Sequence, residues 1–529
     1  MIRINVILDK HYTGAWTACA ITGALLLLLL LTTACSREEA ANPLDRYAPA
    51  MRPDFQEQLA TLTNLPRYDI TVTVNLISAT LVGEQQVHLV NTSPDPWRSL
   101  VFRLYPMLNQ YNGGLQNVMV IHRAAINGKT INVSYLAGNS AIELLLPEIL
   151  RPNEAVDVTL RWQINIPKWA DQSRVYVLFG QSQQMTSLPL FYPSLAVYKP
   201  LRGIQMGEWW QEAGTARGDA AFNLASLFTV RATIPSEQVP VASGTLVTST
   251  VLSGQQTQYL WVTGPSREFL LHLSPLFGST TAEAYGTRVT SYWLPGQEAA
   301  GRAALNYAVA ALRIFSDLFG PYPFQDMRVA PAPLNYRGME YPQVSLIGVE
   351  TYGQYRDALE LLVVHEVAHQ WWYQMVHNDP VKEPWLDEAL AEYSVKLYME
   401  QVYGGDNPAN LQAERWQLPI TTIKGQGGDR PLEQGVGEFA SDPQYETIIY
   451  GKGALFYDAL RQALGPRRFQ RFLQDYLQEN MYQIVTTDDW LADLRQLNTP
   501  EVEVLYDAWV KRPPLLPPTP TPSAQASNP

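Results

Sequence analysis

The sequence predicts an α+β protein of more than one domain, with a β-rich N-terminal part and a mainly helical C-terminal part. Short runs from about Tyr68 to Pro167, such as YDITVTVNL and VDVTLRWQINI, alternate apolar and polar residues, which is typical of antiparallel strands. Apolar residues then recur at helical spacing from the segment GQEAAGRAALNYAVAALRIFSDLFG onward. The length of 529 residues is sufficient for roughly two to four domains with their own hydrophobic cores.

The N-terminus has the layout of a secretory signal. An uninterrupted apolar run, AWTACAITGALLLLLLL, follows Arg3 and Lys10. The run is at the short limit for crossing a bilayer, so export with cleavage is favoured over a retained transmembrane anchor. We therefore predict a signal peptide at residues 1–34 and a linker at residues 35–54.

The stretch TTACS at the end of this run resembles the lipobox of bacterial lipoproteins. The resemblance implies that Cys35 is lipidated and becomes the first residue of a membrane-anchored protein outside the cytoplasm. Thr32 departs from the aliphatic residue that is usual three places before the cysteine. The alternative is that Cys35 is an ordinary thiol near a cleavage site.

The remaining chain divides by its patterns. Residues 55–278 are predicted as the β-rich domain, because the runs ASLFTVRATIP and TQYLWVTG extend the alternation to about residue 275. Residues 279–511 are predicted as a mainly helical domain that contains the helix YRDALELLVVHEVAHQWWYQMV. A later helix, TTDDWLADLRQL, is expected to have Thr487 or Asp488 as its N-cap. Residues 512–529 are proline-rich and are predicted to be a disordered tail.

The charge excludes one class of partner. The formal net charge is −12 and the isoelectric point is about 5.2. Nucleic acids are polyanions, and a protein with this balance would repel them. We therefore expect no nucleic-acid partner.

The motif His-Glu-x-x-His at residues 365–369 indicates a metal site. In a helix, residues four apart lie on one face, so His365 and His369 can direct imidazole nitrogens to one point, as tetrahedral zinc requires. Glu366 follows the first histidine and can approach a water molecule at the metal. The alternative is an amphipathic helix with surface histidines.

A catalytic zinc site needs a third protein ligand, and the segment PWLDEALAEYS offers several. It lies on a second predicted helix that can fold back against the first. Spacing alone does not decide among its carboxylates, which are Glu383, Asp387, Glu388 and Glu392.

Four segments together resemble the zinc aminopeptidases of the aminopeptidase N type, a gluzincin family that includes leukotriene hydrolase. They are the histidine motif followed by WLDEALAEY, the stretch LFGPYPFQDMRVAPAP, the stretch YRGMEYPQ and the stretch YETIIYGKGALFY. The likeness covers about residues 285–510, with a weaker likeness over the β-rich region. It implies a thermolysin-like catalytic domain after the β-rich domain.

The resemblance also implies the active-site roles. One zinc ion would be bound by His365, His369 and Glu388. Glu366 would be the general base, and Tyr450 would donate a hydrogen bond to the oxyanion.

Two further sets of residues follow from the family comparison. Glu340, in a motif with Gly338 and Met339, would bind the α-ammonium group of the substrate. Glu392 would accept a hydrogen bond from a zinc-bound histidine by analogy with more distant gluzincins, the alternative being a solvated glutamate on a helix face.

The sequence departs from the family pattern in three places. Tyr341 replaces an asparagine and Arg337 replaces a glycine beside Glu340, which is one reason for the alternative that a free N-terminus is only weakly required. The family's Pro-Cys-Phe-Asp-Glu-Pro segment has no counterpart. We also expect no large helical C-terminal domain of the kind found in many relatives, and therefore an open cleft with little constraint on substrate length. The pair Trp371 and Trp372 follows the motif, and we expect it to pack in the core.

The hypothesis that these observations favour is a lipid-anchored zinc aminopeptidase that acts on peptides outside the cytoplasm. One alternative is a zinc endopeptidase or hydrolase with a weak need for a free amine. The other alternative is a non-catalytic surface-binding lipoprotein.

Overall fold

The computed structural model describes residues 42–169, 178–182, 184–200, 206–211, 217–335, 337–404 and 406–511. The predicted signal peptide at residues 1–34, Cys35 and the proline-rich tail at residues 512–529 lie outside the described residues. No helix within the described ranges has the length and apolar character needed to cross a membrane.

The N-terminal region is built from strands, as predicted. An eight-stranded sheet has the order β16-β17-β14-β1-β2-β8-β4-β5, and two four-stranded sheets have the orders β15-β18-β10-β9 and β11-β3-β7-β6, beside the two-stranded β12-β13. The bounds are β1 Arg67–Asn75, β2 Thr80–Val90, β3 Trp97–Arg103, β4 Met119–Ile126, β5 Lys129–Ile131, β6 Ser134–Leu136, β7 Ala141–Leu150, β8 Ala155–Asn165, β9 Gly180–Gln181, β10 Thr186–Pro189, β11 Ser194–Leu195, β12 Tyr198–Lys199, β13 Glu208–Trp209, β14 Leu227–Pro235, β15 Val239–Ala242, β16 Thr245–Leu252, β17 Gln256–Val262 and β18 Leu270–Ser274.

The alternating sequence pattern becomes alternating burial in the large sheet. In β2 and β8 every second residue is buried, so one face of each strand packs into the core while the other faces solvent. Gly83 of β2 lies opposite Trp162 of β8, and a Cβ atom at Gly83 would lie 2.4 Å from the indole ring. The glycine therefore makes room for a fully buried tryptophan.

The second region combines one sheet with helices. Its five-stranded sheet has the order β19-β20-β21-β23-β22, with β19 Gly278–Ala284, β20 Thr287–Trp293, β21 Asp326–Ala332, β22 Gly338–Tyr341 and β23 Val344–Gly348. After the short α1 Asn109–Asn112 of the first region, the α-helices are α2 Glu298–Leu318, α3 Leu359–Ala368, α4 Trp385–Val402, α5 Asn407–Leu411, α6 Leu418–Gly425, α7 Asp442–Glu446, α8 Gly453–Leu464, α9 Pro466–Asn480, α10 Thr487–Arg495 and α11 Pro500–Trp509.

Two of the connections are π-helical turns, at Gln412–Gln417 and Thr447–Lys452. Short 3₁₀ helices occur at Asp45–Ala50, Pro53–Thr61, Tyr105–Met107, Ala137–Asn139, Val349–Tyr352, Arg356–Ala358 and Val436–Glu438.

The end of the predicted linker is packed structure. Tyr47, Ala50 and Met51 are buried, and Met51 forms a β-bridge with Phe324 in the second region. The partner of Met51 lies far away in the sequence, and a local pattern of apolar residues does not predict such a contact.

The expected N-cap of α10 is wrong by one residue. Thr486 caps the helix, because its hydroxyl accepts a hydrogen bond from the Asp489 backbone N–H and the Asp489 side chain returns to the Thr486 N–H. Both orphan donors of the first turn are satisfied by this reciprocal arrangement.

The β-rich region and the second region share a continuous core. One apolar cluster contains Trp162 and Phe228 of the large sheet together with Met339 and Leu346 of the second sheet. Arg267 adds a polar link, since its buried guanidinium donates to the carbonyl oxygens of Gln374 at 3.1 Å, Met375 at 3.2 Å and Gln483 at 2.9 Å. The β-rich region thereby fixes the segment that follows the histidine motif.

Candidate active site

The histidine motif lies on a buried helix. All residues of α3 from Val363 to Ala368 are buried, and the helix packs against α2, α4 and the strands β22 and β23. His369 is the C-cap residue with φ −62° and ψ −14°, so it keeps the helical relation to His365. The two imidazoles accordingly face the same point, with their Nε2 atoms 3.1 Å apart.

The prediction that this helix continues through the two tryptophans is wrong. α3 ends at Ala368, and Tyr373 has φ 138°, which no helix accommodates. The turn places the Trp372 carbonyl oxygen 2.8 Å from His369 Nδ1. In a continuing helix that carbonyl would accept a backbone N–H one turn later, so ending the helix frees it for the histidine. Trp371 and Trp372 are fully buried, as expected for core residues.

Glu388 completes a three-donor cluster. It lies in the first turn of α4, and its Oε2 atom is 3.2 Å from His365 Nε2 and 3.3 Å from His369 Nε2. Ligands of tetrahedral zinc with bonds of about 2.0–2.1 Å are about 3.3 Å from one another. The three donor atoms are therefore already at the separation that zinc requires.

The protonation of the histidines supports the same conclusion. His369 Nδ1 is 2.8 Å from the Trp372 carbonyl oxygen, and His365 Nδ1 lies 3.3 Å from Glu392 Oε2 without forming an aligned hydrogen bond, so a proton on each Nδ1 would face an oxygen atom. Neutral imidazoles in these tautomers direct the Nε2 lone pairs at each other and at the Glu388 carboxylate. Three lone-pair donors directed at one point can bind a metal ion, and the two imidazoles and the carboxylate fit zinc.

Glu392 has no exposed surface and is part of a network that extends to a π-helical turn. Besides contacting His365, its carboxylate accepts hydrogen bonds from the Arg415 guanidinium and from Trp416 Nε1 at 2.7 Å. Burial raises the pKa of Glu392, but Arg415 and His365 outweigh it, so the net pKa lies well below the ordinary value. Glu392 is thus a charged acceptor that orients His365.

The ligand groups shift one another's pKa strongly in the absence of metal. Burial lowers the pKa of His365, but hydrogen bonds to Glu388 and Glu392 raise it to about 9 overall. Burial raises the pKa of the Glu388 carboxyl, but hydrogen bonds to both histidines lower it more strongly. The pKa therefore lies well below its usual range. The cluster therefore favours positive charge at its centre.

Glu366 lies beside the ligand cluster, where the backbone of β22 approaches its side chain closely. A Cβ atom at Gly338 would be 2.0 Å from Glu366 Oε1, so only glycine allows β22 to approach this side chain. Glu366 is buried, and its Oε2 atom accepts no hydrogen bond from any described residue. Burial raises the pKa of Glu366 to about 7, although His365 and His369 act in the opposite direction.

Glu340 is on the same strand and faces the same cluster. Glu340, Glu366 and His369 have ligand atoms within 4.8 Å of one another. Burial raises the pKa of Glu340 well above its ordinary value, His369 lowers it, and the Glu366 carboxylate raises it further. Gln374 Nε2 fixes the strand by donating to the Glu340 carbonyl oxygen at 2.7 Å. A buried carboxylate of this kind would be stabilised by a bound cationic group.

Its neighbours on β22 are placed by packing. Met339 is buried beside it, and Tyr341, which replaces the family asparagine, is buried with its carbonyl accepting from Gln370 Nε2 at 3.1 Å. Tyr341 belongs to the shared apolar core. The departure from the family pattern therefore leaves Glu340 in the cleft wall.

Tyr450 enters the site from the second π-helical turn. Its hydroxyl donates to Glu388 Oε1 at 2.6 Å, and its ring stacks on the His365 imidazole with centroids 5.7 Å apart. Burial, followed by the charge of Glu388, raises the pKa of Tyr450 well above 10, so the hydroxyl keeps its proton. It is a hydrogen-bond donor next to the ligand cluster.

A cleft of about 1000 Å³ opens above these groups. It is lined on one side by the second region and on the other by residues of the β-rich region, including Gln110, Arg217 and Asp219. No sequence pattern predicts these three residues, or Arg415 and Trp416, because none of them belongs to a spaced motif.

Known proteins resemble this chain in sequence and in fold. Residues 303–509 match the peptidase family M1 domain. Aminopeptidase M1-A of Oryza sativa subsp. japonica is 24% identical over 84% of this chain and 50% of its own length, and leukotriene A-4 hydrolase of Xenopus laevis is 26% identical over 38% of this chain and 35% of its own length. The chain spans about half or less of the length of these curated relatives.

Solved structures share the two-region fold. An M1 zinc metallopeptidase from Deinococcus radiodurans has a TM-score of 0.64 and 20% identity, covering 86% of this chain and 96% of that one. A variant of that protein bound to a Tyr-Ser-Ala substrate has a TM-score of 0.62 and 21% identity, covering 87% and 96%. The predicted fold class is therefore confirmed.

We expect Glu392→Gln to weaken zinc binding by about 10–100-fold, because the amide removes the charged acceptor that orients His365. Competition with a chromophoric chelator measures the zinc dissociation constant. Glu400→Gln is the matched control, since Glu400 lies on the same helix and pairs with Arg461 at 2.8 Å away from the cluster. Equal zinc affinity in the two variants would contradict the role of Glu392.

Proposed function

We propose that the chain is a zinc aminopeptidase of the M1 type, which its likeness to the peptidase family M1 domain over residues 303–509 supports, and that it removes residues one at a time from the N-terminus of peptides. The observation that carries the proposal is the buried Glu340 carboxylate beside Glu366 and His369. An ammonium group of a substrate supplies the positive charge that this part of the cleft lacks.

The zinc site and the general base act together. Zinc bound by His365, His369 and Glu388 would supply Lewis acidity, polarising a peptide carbonyl and making water more acidic. Glu366 takes a proton from the attacking water and delivers it to the leaving amine nitrogen. Its Oε2 atom accepts no hydrogen bond from any described residue, and burial raises the pKa of this carboxyl above its ordinary value, which suits a group that must both accept and release a proton.

Tyr450 stabilises the charge that develops on the carbonyl oxygen. Its hydroxyl is protonated and lies at Glu388, beside the ligand cluster, so a small rotation directs it toward a substrate oxygen bound there. A donor of this kind acts most strongly in the transition state, where the oxygen becomes an anion.

Glu340 defines the register of cleavage. With the α-ammonium group at this carboxylate, the first peptide bond lies next to Glu366, so one residue is released in each turnover. The solved neighbours bound to a Tyr-Ser-Ala substrate, L-arginine and L-tryptophan are consistent with peptides and free amino acids as ligands of this cleft.

The location of the protein is part of the same proposal. The apolar run at residues 15–31 and the TTACS stretch support export and lipidation at Cys35. The enzyme would then be anchored to the membrane and exposed outside the cytoplasm. Its substrates would then be extracytoplasmic peptides.

Glu366→Gln is expected to lower kcat for N-terminal residue release by at least about 10³-fold, because the amide cannot accept the proton of water. Chromogenic aminoacyl anilides and peptide mass spectrometry measure the release, and zinc content is measured in parallel. Glu360→Gln, on the same helix and bonded to Tyr398 and Tyr403, is the control. Turnover that survives in the zinc-loaded Glu366→Gln protein would remove this residue as the base.

N-acetylated peptides are expected to be cleaved at least about 10²-fold more slowly than the same peptides with a free amine, because the amide carries no charge for Glu340. Glu340→Gln should reduce the preference by raising KM for the free-amine peptides. Equal cleavage of free and acetylated peptides would instead identify an endopeptidase, and stoichiometric zinc without any turnover would identify a binding protein.

Cys35→Ser is expected to move the protein from the membrane fraction to the soluble exported fraction, because the lipid-bearing thiol is lost. Cell fractionation with incorporation of a labelled fatty acid measures both effects. Cys19→Ser, in the predicted signal peptide, is the control. Unchanged membrane association and no label in the wild-type protein would contradict lipidation.

A further inference from the structure

Three arginines line the described part of the cleft, and they differ in how firmly they are held. Arg415 pairs with the fully buried Glu392, and Arg217 pairs with Asp442 while its own side chain is 17% exposed. Arg337 pairs with Glu446 at 2.7 Å, and these side chains are 46% and 49% exposed. Half-exposed ion pairs contribute little net stability, so the Glu446 carboxylate can be exchanged for another.

The order of groups along the cleft edge follows from the strand. Glu340 lies in β22, Gly338 of the same strand contacts Glu366, and Arg337 comes next. The Arg337 carbonyl accepts the Gly348 N–H at 2.8 Å, so the extended ladder continues through this residue. At about 3.4 Å per extended residue, the Cα atom of Arg337 lies about 10 Å from that of Glu340, on the far side of the general base.

β22 is the edge strand of its sheet and lines the cleft. An extended peptide can lie along such an edge. With its amine at Glu340 and its first peptide bond at Glu366, the peptide continues toward Arg337. A guanidinium binds a carboxylate through two parallel hydrogen bonds, a geometry that lysine does not offer.

We propose that Arg337 binds the C-terminal carboxylate of short peptides, of about two to three residues, in place of Glu446. The proposal rests on the proposed aminopeptidase function and specifies its substrate class. It also differs from the expectation of little constraint on substrate length, because the catalytic region itself supplies a cation beyond the cleaved bond.

Opposite effects of two variants test this proposal. Arg337→Gln and Glu446→Gln both abolish the ion pair, so a purely structural role predicts changes in the same direction. Carboxylate recognition predicts that Arg337→Gln loses the preference for free carboxylates, whereas Glu446→Gln strengthens it because the internal competitor is gone.

The measurement is kcat/KM of the zinc-loaded full chain for Ala-Ala-Ala and for its C-terminal amide. We expect the wild-type ratio of acid to amide to be about 10, to fall to about 1 in Arg337→Gln through KM, and to exceed the wild-type value in Glu446→Gln. Arg302→Gln is the control, since this residue forms an exposed pair with Glu298 on α2.

Two outcomes overturn the proposal. A wild-type ratio near 1, or a ratio that falls in both variants, excludes carboxylate recognition by Arg337. Hydrolysis of alanine p-nitroanilide separates this failure from that of the proposed function, because the anilide has no carboxylate. If the wild-type protein cleaves neither the anilide nor the peptides, the aminopeptidase function fails and this proposal fails with it.

Discussion

Three lone-pair donors, two of them on buried histidines, converge on one point between α3 and α4, and the surrounding structure depends on that convergence. The two Nε2 atoms, 3.1 Å apart, and the Glu388 carboxylate lie at the separations that the ligands of a bound zinc ion would have. The turn after His369 and the network around Glu392 keep both imidazoles in the required orientation. The core around α3 and α4 therefore positions the groups that would bind the metal.

The contributions of the two regions to the cleft differ in kind. The second region provides the three-donor cluster, the two carboxylates beside it and Tyr450, through α3, α4, β22 and the second π-helical turn. The β-rich region provides a wall and, through Arg267, holds the segment after the histidine motif in place. The buried Tyr341 joins the two, so a position that is polar in relatives is used here for packing.

Local patterns in the sequence predicted the parts of the site that are local in structure. The spacing of His365 and His369 depends only on helix geometry, and the strands of the large sheet depend only on period-two burial. The third ligand depends on how two helices meet, so spacing left four carboxylates open and family resemblance was needed to choose Glu388. The end of α3 is associated with the hydrogen bond from His369 Nδ1 to the Trp372 carbonyl oxygen. The periodicity of apolar residues does not predict this bond. Arg415 and Trp416 reach Glu392 from another π-helical turn, which no periodicity predicts.

The π-helical turn at Thr447–Lys452 has a consequence for how this chain can vary. A π turn contains one residue more than an α turn, and an α-helix rotates by about 100° per residue. Deleting one residue here would restore a regular helix. The same deletion would turn the residues on its two sides by about 100° relative to each other, so Tyr450 would no longer face Glu388. A substitution in this segment changes only one side chain and its contacts, whereas a change in the length of the segment changes the orientation of the helix turns on either side. The number of residues between α7 and α8 is thus fixed by the geometry of the site.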